Sequence, residues 1–123
     1  MSEHPNAAIV RRSMEAAAAG DLATAASLVA DDIVWHEIGR AEPRRGQDEL
    51  RASMTEVDYT IDGRSHDILA NDDHVVLLID ATAQRAGKTL NYRVVEVYHV
   101  KDGKITERWA MSDDTEAIAR FFA

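Results

Sequence analysis

Cysteine is absent from this chain of 123 residues. That excludes disulfides, thiolate metal ligands and cysteine nucleophiles, and it leaves the redox compartment open. Proline occurs only twice and glycine six times, so there is no low-complexity linker and no internal repeat. Positive charge is scarce: 14 Lys and Arg stand against 22 Asp and Glu, a net charge of −8. No basic cluster exceeds Arg44-Arg45. A nucleic-acid backbone or an anionic membrane is therefore a poor partner. No apolar run is long enough to span a bilayer, and the opening MSEHPNAAIVRR lacks the apolar centre of a signal peptide. The expectation is a soluble, cytoplasmic protein. Gly-rich phosphate loops, HExxH, EF-hand and Gly-x-Ser-x-Gly patterns are missing as well. The five histidines, at 4, 36, 66, 74 and 99, have no ligand spacing, so neither a metal nor a cofactor is expected.

Apolar residues are plentiful, at 46%. With this length they predict one domain over residues 1–123 with one core. Helical spacing of Ile9, Val10, Met14 and Ala17 predicts a helix over residues 6–19, capped by Asn6 and ended by Gly20. Asp21 caps a second helix, Leu22 to Val29. Ile33 to Ile38 (IVWHEI) reads as a short strand with Ile33, Trp35 and Glu37 on one face. A loop, GRAEPRRG, leads to a third helix, Gln47 to Thr55, with Leu50 and Met54 as its buried pair. Strands follow: Tyr59 to Ile61 and Ser65 to Ala70, read as one strand broken at Asp62-Gly63, then Val75 to Gln84, then Thr89 to Val100. Along VVLLIDATAQ, Leu77, Ile79, Ala81 and Ala83 shrink in size on one face. That leaves either room for a ligand or a seat for a close-packed helix. Thr115 to Phe122 is a terminal helix capped by Asp113 or Asp114. This order predicts an α+β fold, with helices on one face of a curved antiparallel sheet.

The hairpin Arg93 to Ser112, RVVEVYHVKDGKITERWAMS, organises the rest. Val94, Glu96, Tyr98 and Val100 share one face. A three-residue loop, Lys101-Asp102-Gly103 with Gly103 left-handed, pairs Val100 with Lys104 and sets Glu96 opposite Arg108. A two-residue Asp102-Gly103 loop sets Glu96 opposite Trp109 instead. The first is preferred, because its type I turn suits most residues at its first position. A carboxylate inside an apolar run is costly unless it is paired or faces water. Glu96 and Glu37 both pose that question.

Three stretches carry a resemblance: AGDLATAASLVADDIVWHEIG (Ala19 to Gly39), RRG before the third helix, and VYHVKDGKITERW (Val97 to Trp109). The chain resembles SnoaL-like proteins of the nuclear transport factor 2-like superfamily, which includes ketosteroid isomerases and polyketide cyclases. The resemblance implies a cone-shaped α+β barrel, a strongly curved antiparallel sheet wrapped around three N-terminal helices, with a deep apolar pocket and a homodimer. It sets Glu37 where an isomerase has its general base, and Glu96 where it has the protonated donor of the oxyanion hole. It sets Ser13 at the isomerase's oxyanion tyrosine and Ala110 at the cyclase's acid–base aspartate. The match to either activity is thus incomplete.

Glu37, Glu96 and Arg108 are accordingly the candidate catalytic residues. Trp35, Tyr98, Met14, Met54, Tyr59, Ile79, Ala81 and Ala110 are the candidate ligand-binding wall. Three functions compete. The first is an isomerase- or cyclase-like enzyme moving a proton on a small apolar carbonyl compound, with Glu37 as base and Glu96 as donor. Epoxide hydrolysis by a carboxylate–arginine–carboxylate group is its variant. The second is a non-catalytic module for a small apolar molecule, favoured if Arg108 keeps a glutamate ionised. The third is a dimeric accessory protein. Val95, Val97, Ile105, Trp109 and Met111 fall on the face opposite the pocket, which predicts a homodimer through the convex sheet face.

Overall fold

The computed structural model describes residues 3–55 and 57–123. Its elements are α1 (Pro5–Ala18), α2 (Leu22–Ser27), β1 (Val29–Trp35), β2 (Arg44–Arg45), α3 (Gly46–Ser53), β3 (Tyr59–Ala70), β4 (His74–Arg85), β5 (Lys88–Lys101), β6 (Lys104–Ser112) and α4 (Thr115–Phe122). Local chemistry explains the helix ends. Pro5 sits in the first turn of α1, where no N–H is needed, and the ring of His4, not Asn6, caps the helix. Gly20 takes φ +77°, and Asp21 N donates to Ala16 O while Gly20 N donates to Ala17 O, which closes α1 as a Schellman motif. The Asp21 carboxylate then accepts from Thr24 N to open α2. α2 stops at Ser27 because Val29 already belongs to β1. α3 stops at Ser53, which parts the expected pair: Leu50 is buried, whereas Met54 is 54% exposed. Asp114 caps α4 through Ala117 N.

The sheet has six strands in the order β2-β1-β6-β5-β4-β3. This corrects the cone-shaped, strongly curved antiparallel barrel. The sheet is open, with β2 and β3 as edges, and it is mixed, because β1 runs parallel to β6. Closure needs the two edge strands to meet along a staggered register. A two-residue β2 offers nothing for the twelve residues of β3 to pair with. The α+β class, with the helices α1 and α2 ahead of the sheet, stands. Residues 59–70 form one strand, with an irregularity between Ser65 and Asp67 rather than at Asp62-Gly63.

The central hairpin follows neither expected register. Lys101 pairs with Lys104, and Asp102 and Gly103 both have positive φ (52° and 78°), as a two-residue type I′ turn requires. A bulge then inserts Thr106 between Ile105, opposite Val100, and Glu107, opposite His99. The Thr106 hydroxyl bonds to His99 O across it. Beyond the bulge Tyr98 faces Arg108 and Glu96 faces Ala110. The extra residue restores the parity that the shorter turn removes. Glu96 and Arg108 therefore share a face, as diagonal neighbours rather than a direct pair. Ile105 is the casualty: expected on the outer face, it is 1% exposed in the core. That core joins Val10 of α1, Ile33 of β1 and Leu50 of α3 to Val75 and Leu77 of β4 and Tyr98 and Val100 of β5.

Candidate functional site

On the helix-covered face, β5 presents Tyr92, Val94, Glu96 and Tyr98 in alternation. The Tyr98 hydroxyl donates to Glu96 Oε1 at 2.6 Å, and Arg108 Nη2 donates to Glu96 Oε2 at 2.5 Å. Arg108 Nη1 donates to His36 O at 2.9 Å, just past the end of β1. The guanidinium lies 4.5 Å from the Trp35 ring centre, and Trp35 meets Tyr98 edge to face. Side-chain exposure is only 14% for Glu96 and 11% for Arg108. A buried ion pair survives only when its remaining hydrogen-bonding groups are met. Here both carboxylate oxygens are met. Burial disfavours the Arg108 charge, but the Glu96 carboxylate and the Tyr98 oxygen beside it outweigh that and hold its pKa above the ordinary value. Its Nε makes no hydrogen bond among the described residues. Burial, and next the Glu96 charge, push the Tyr98 phenol well above its usual range.

Glu37 goes elsewhere. β1 ends at Trp35, so strand alternation no longer directs residue 37. Arg44 Nε and Nη2 donate to its two oxygens at 2.9 and 3.3 Å, a bidentate pair. Glu37 and Glu96 are thus held by different arginines, and the carboxylate–arginine–carboxylate group is not formed. Tyr59 and Tyr92 lie near the two pairs. Burial, then the Glu37 charge, raises the Tyr59 pKa, and burial, then Glu96, raises that of Tyr92. Tyr59 also meets Phe122 of α4 edge to face at 4.9 Å.

A cavity of about 220 Å³ opens among the helices beside this group. α1 contributes Val10, Ser13, Met14 and Ala17; α2 contributes Leu22, Ala25 and Ala26. α3 and its end contribute Gln47, Leu50, Arg51, Met54 and Thr55, and the sheet closes the floor with Val29, Trp35, Tyr98 and Ile105. Leu22 (62% exposed) and Met54 (54%) form its apolar rim. Four expected wall residues, Met14, Trp35, Met54 and Tyr98, line this cavity. Ile79 and Ala81 lie in the buried core, Ala110 packs against it, and Tyr59 sits by α4. Glu96 and Arg108 stand behind Tyr98, outside the lining, and Glu37 is not part of it either. Sequence reasoning missed Gln47 and Tyr92. Tyr92 was within reach by carrying the Val94–Glu96–Tyr98 alternation two residues back. Gln47 had no local signal.

A family model for the SnoaL-like domain matches residues 10–108. The chain belongs to the SnoaL-like family. An uncharacterised protein of Mycobacterium tuberculosis is 30% identical over 131 residues, covering 100% of both chains. Bal32a, from a soil-derived mobile gene cassette, is 27% identical with a TM-score of 0.88, and 97% of each chain is covered. A cystatin-like protein of unknown function from Xanthomonas campestris is 28% identical with a TM-score of 0.81, over 94% of this chain and 95% of that one. In this SnoaL-like chain the family match ends at Arg108, so α4 lies beyond it.

Proposed function

We propose that this SnoaL-like protein binds a small, neutral, apolar molecule in the cavity among α1, α2 and α3. The observation that carries this reading is the lining: aliphatic and aromatic side chains dominate it, while each nearby glutamate is neutralised by its own arginine. A volume of 220 Å³ holds about seven waters at liquid density. That suits a compact ligand and is below the usual range for drug-sized ones, roughly 300–1,000 Å³. A thermal-shift titration with 4-methylcyclohexanol tests the reading, since a ligand of the folded state raises the melting temperature. The shift should vanish when Ala26→Leu fills the cavity. An equal shift in that variant rejects the site.

One observation favours a second reading, isomerase- or cyclase-like proton transfer. Tyr98 spans the cavity wall and Glu96, with its hydroxyl 2.6 Å from the carboxylate. A phenol that turned its one proton from Glu96 to a ligand carbonyl would act as the donor and free the carboxylate beside it as a base. Deuterium exchange at the α-carbons of 4-methylcyclohexanone, followed by NMR, separates the readings. Exchange no faster with the wild type than with Glu96→Gln or Glu37→Gln leaves binding alone.

The partner we propose is a second copy of this chain, seated on the outer sheet face. Val95, Val97, Trp109 and Met111 share that face, and Met111 is 54% exposed. No helix among the described residues is long and apolar enough to cross a membrane.

A further inference from the structure

The cavity lining contains few polar groups, and two of them are already engaged. The Tyr98 hydroxyl is bound to Glu96, and Thr55 Oγ1 donates to Arg51 O at 2.9 Å. Arg51 stands at the rim with its side chain 63% exposed. Three groups remain within the cavity: Gln47 on α3, Ser13 on α1 and the indole N–H of Trp35 on β1. Gln47 Nε2 donates to Ala26 O at 3.2 Å and to Val29 O at 2.9 Å, with Asp31 Oδ1 at 3.4 Å. Backbone carbonyls can only accept, so these bonds settle which end of the amide is nitrogen. The same bonds pin the side chain across the α2–β1 junction. Its Oε1 is left without a hydrogen bond among the described residues, and so is the Ser13 hydroxyl. A serine hydroxyl rotates to donate or accept, whereas a pinned amide oxygen only accepts. The lining therefore offers a fixed acceptor at Gln47, a donor at the Trp35 indole and a hydroxyl at Ser13 that serves as either, a set that suits a group able both to donate and to accept.

From this we infer that the ligand carries a hydroxyl: a compact alcohol or phenol whose O–H donates to Gln47 Oε1, with Ser13 completing the contact. The inference rests on the ligand-binding reading above and narrows it. A ketone offers only an acceptor; it can use Ser13 or the Trp35 indole but leaves the pinned Gln47 oxygen unmet. A carboxylate faces the Gln47 oxygen with like polarity and also loses its hydration in an apolar cavity. The amide orientation that binds the alcohol is the one that fastens α3 to β1. The selectivity is thus built into the fold rather than into a mobile loop.

The test is a matched series of probes measured by calorimetry on the wild type: methylcyclohexane, 4-methylcyclohexanol, 4-methylcyclohexanone and 4-methylcyclohexanecarboxylate. One net hydrogen bond predicts that the alcohol binds roughly three- to tenfold tighter than the ketone. In Gln47→Met, checked for a cooperative melt, the alcohol and ketone should bind equally. Equal or tighter binding of the ketone to the wild type overturns the inference but leaves an apolar pocket in place. Tightest binding of the carboxylate also overturns it and moves the selectivity to Arg51. Failure of all four to bind overturns both this inference and the reading beneath it. If Gln47→Met does not fold, the wild-type series still decides.

Discussion

Glu96, Tyr98 and Arg108 form one buried unit, and their energetics are separable by mutation. Removing Arg108 leaves a carboxylate buried beside Trp35 with only the Tyr98 hydroxyl to meet it. Arg108→Met should cost about 3–5 kcal/mol in urea unfolding, as breaking a buried pair from one side does. Glu96→Leu with Arg108→Met should recover most of that loss, because no unpaired charge remains. A double variant as unstable as Arg108→Met alone would show that the unit acts through its bond to His36 O instead. Tyr98 gives a pH signature. Its folded pKa is raised by burial and by Glu96, so its contribution is fully present below the unfolded value, about 10. It fades as pH climbs from there toward the folded value. Stability should fall above about pH 10, and Tyr98→Phe should flatten that fall. Ultraviolet titration of the phenols at 25 °C should find one group that ionises only as the protein unfolds.

Turns and bulges decide what the strands present. Ala86-Gly87 joins β4 to β5 with Arg85 opposite Lys88, and Ala86 holds φ +52°. A side chain with a Cβ is strained there by roughly 1–2 kcal/mol. Ala86→Gly should therefore stabilise the protein by about 0.5–1 kcal/mol, net of the entropy glycine loses. A shift of the urea midpoint at constant slope reads this directly. The matching turn at Asp102-Gly103 uses Asp, which tolerates the left-handed region better than Ala. Thr106 has the larger consequence. Without its extra residue, the two-residue turn would set Glu96 opposite Trp109 and send Arg108 to the outer face. The hairpin's ends were legible because Asp-Gly and β-branched runs are local signals. The bulge was not, because it answers to β1, which pairs Val29 with Ile105 on one side of Thr106 and Val34 with Glu107 on the other.

For the whole molecule, the outer face of the open sheet carries Val95, Val97, Trp109 and Met111. Trp109 stacks there with His36 at 5.8 Å, and His36 bonds Glu107 at 2.7 Å. If a second copy seats there, sedimentation at micromolar concentration should give a dimer, and Trp109→Ala should dissociate it. A wild-type monomer under those conditions removes the interface.

The sequence by itself determined the order of the helices and the long strands, the Asp21 cap, the stop at Gly20 and the family; it left the α4 cap open between Asp113 and Asp114 and read Arg44-Arg45 as loop. It also placed Glu96 and Tyr98 on one strand face. Each of these follows from near neighbours: a cap from three residues, a face from period-two alternation, a turn from a dipeptide. Only the tertiary structure decided that the sheet stays open, that Arg44 rather than Arg108 holds Glu37, and that the cavity lies among the helices. The alanines of β4 show the same division, since either a ligand or close packing could have used the space they leave. Such outcomes depend on groups far apart in the chain meeting at hydrogen-bond distance. An ion pair has no periodicity by which a sequence can announce its partner, and a cavity is the space that packing leaves over.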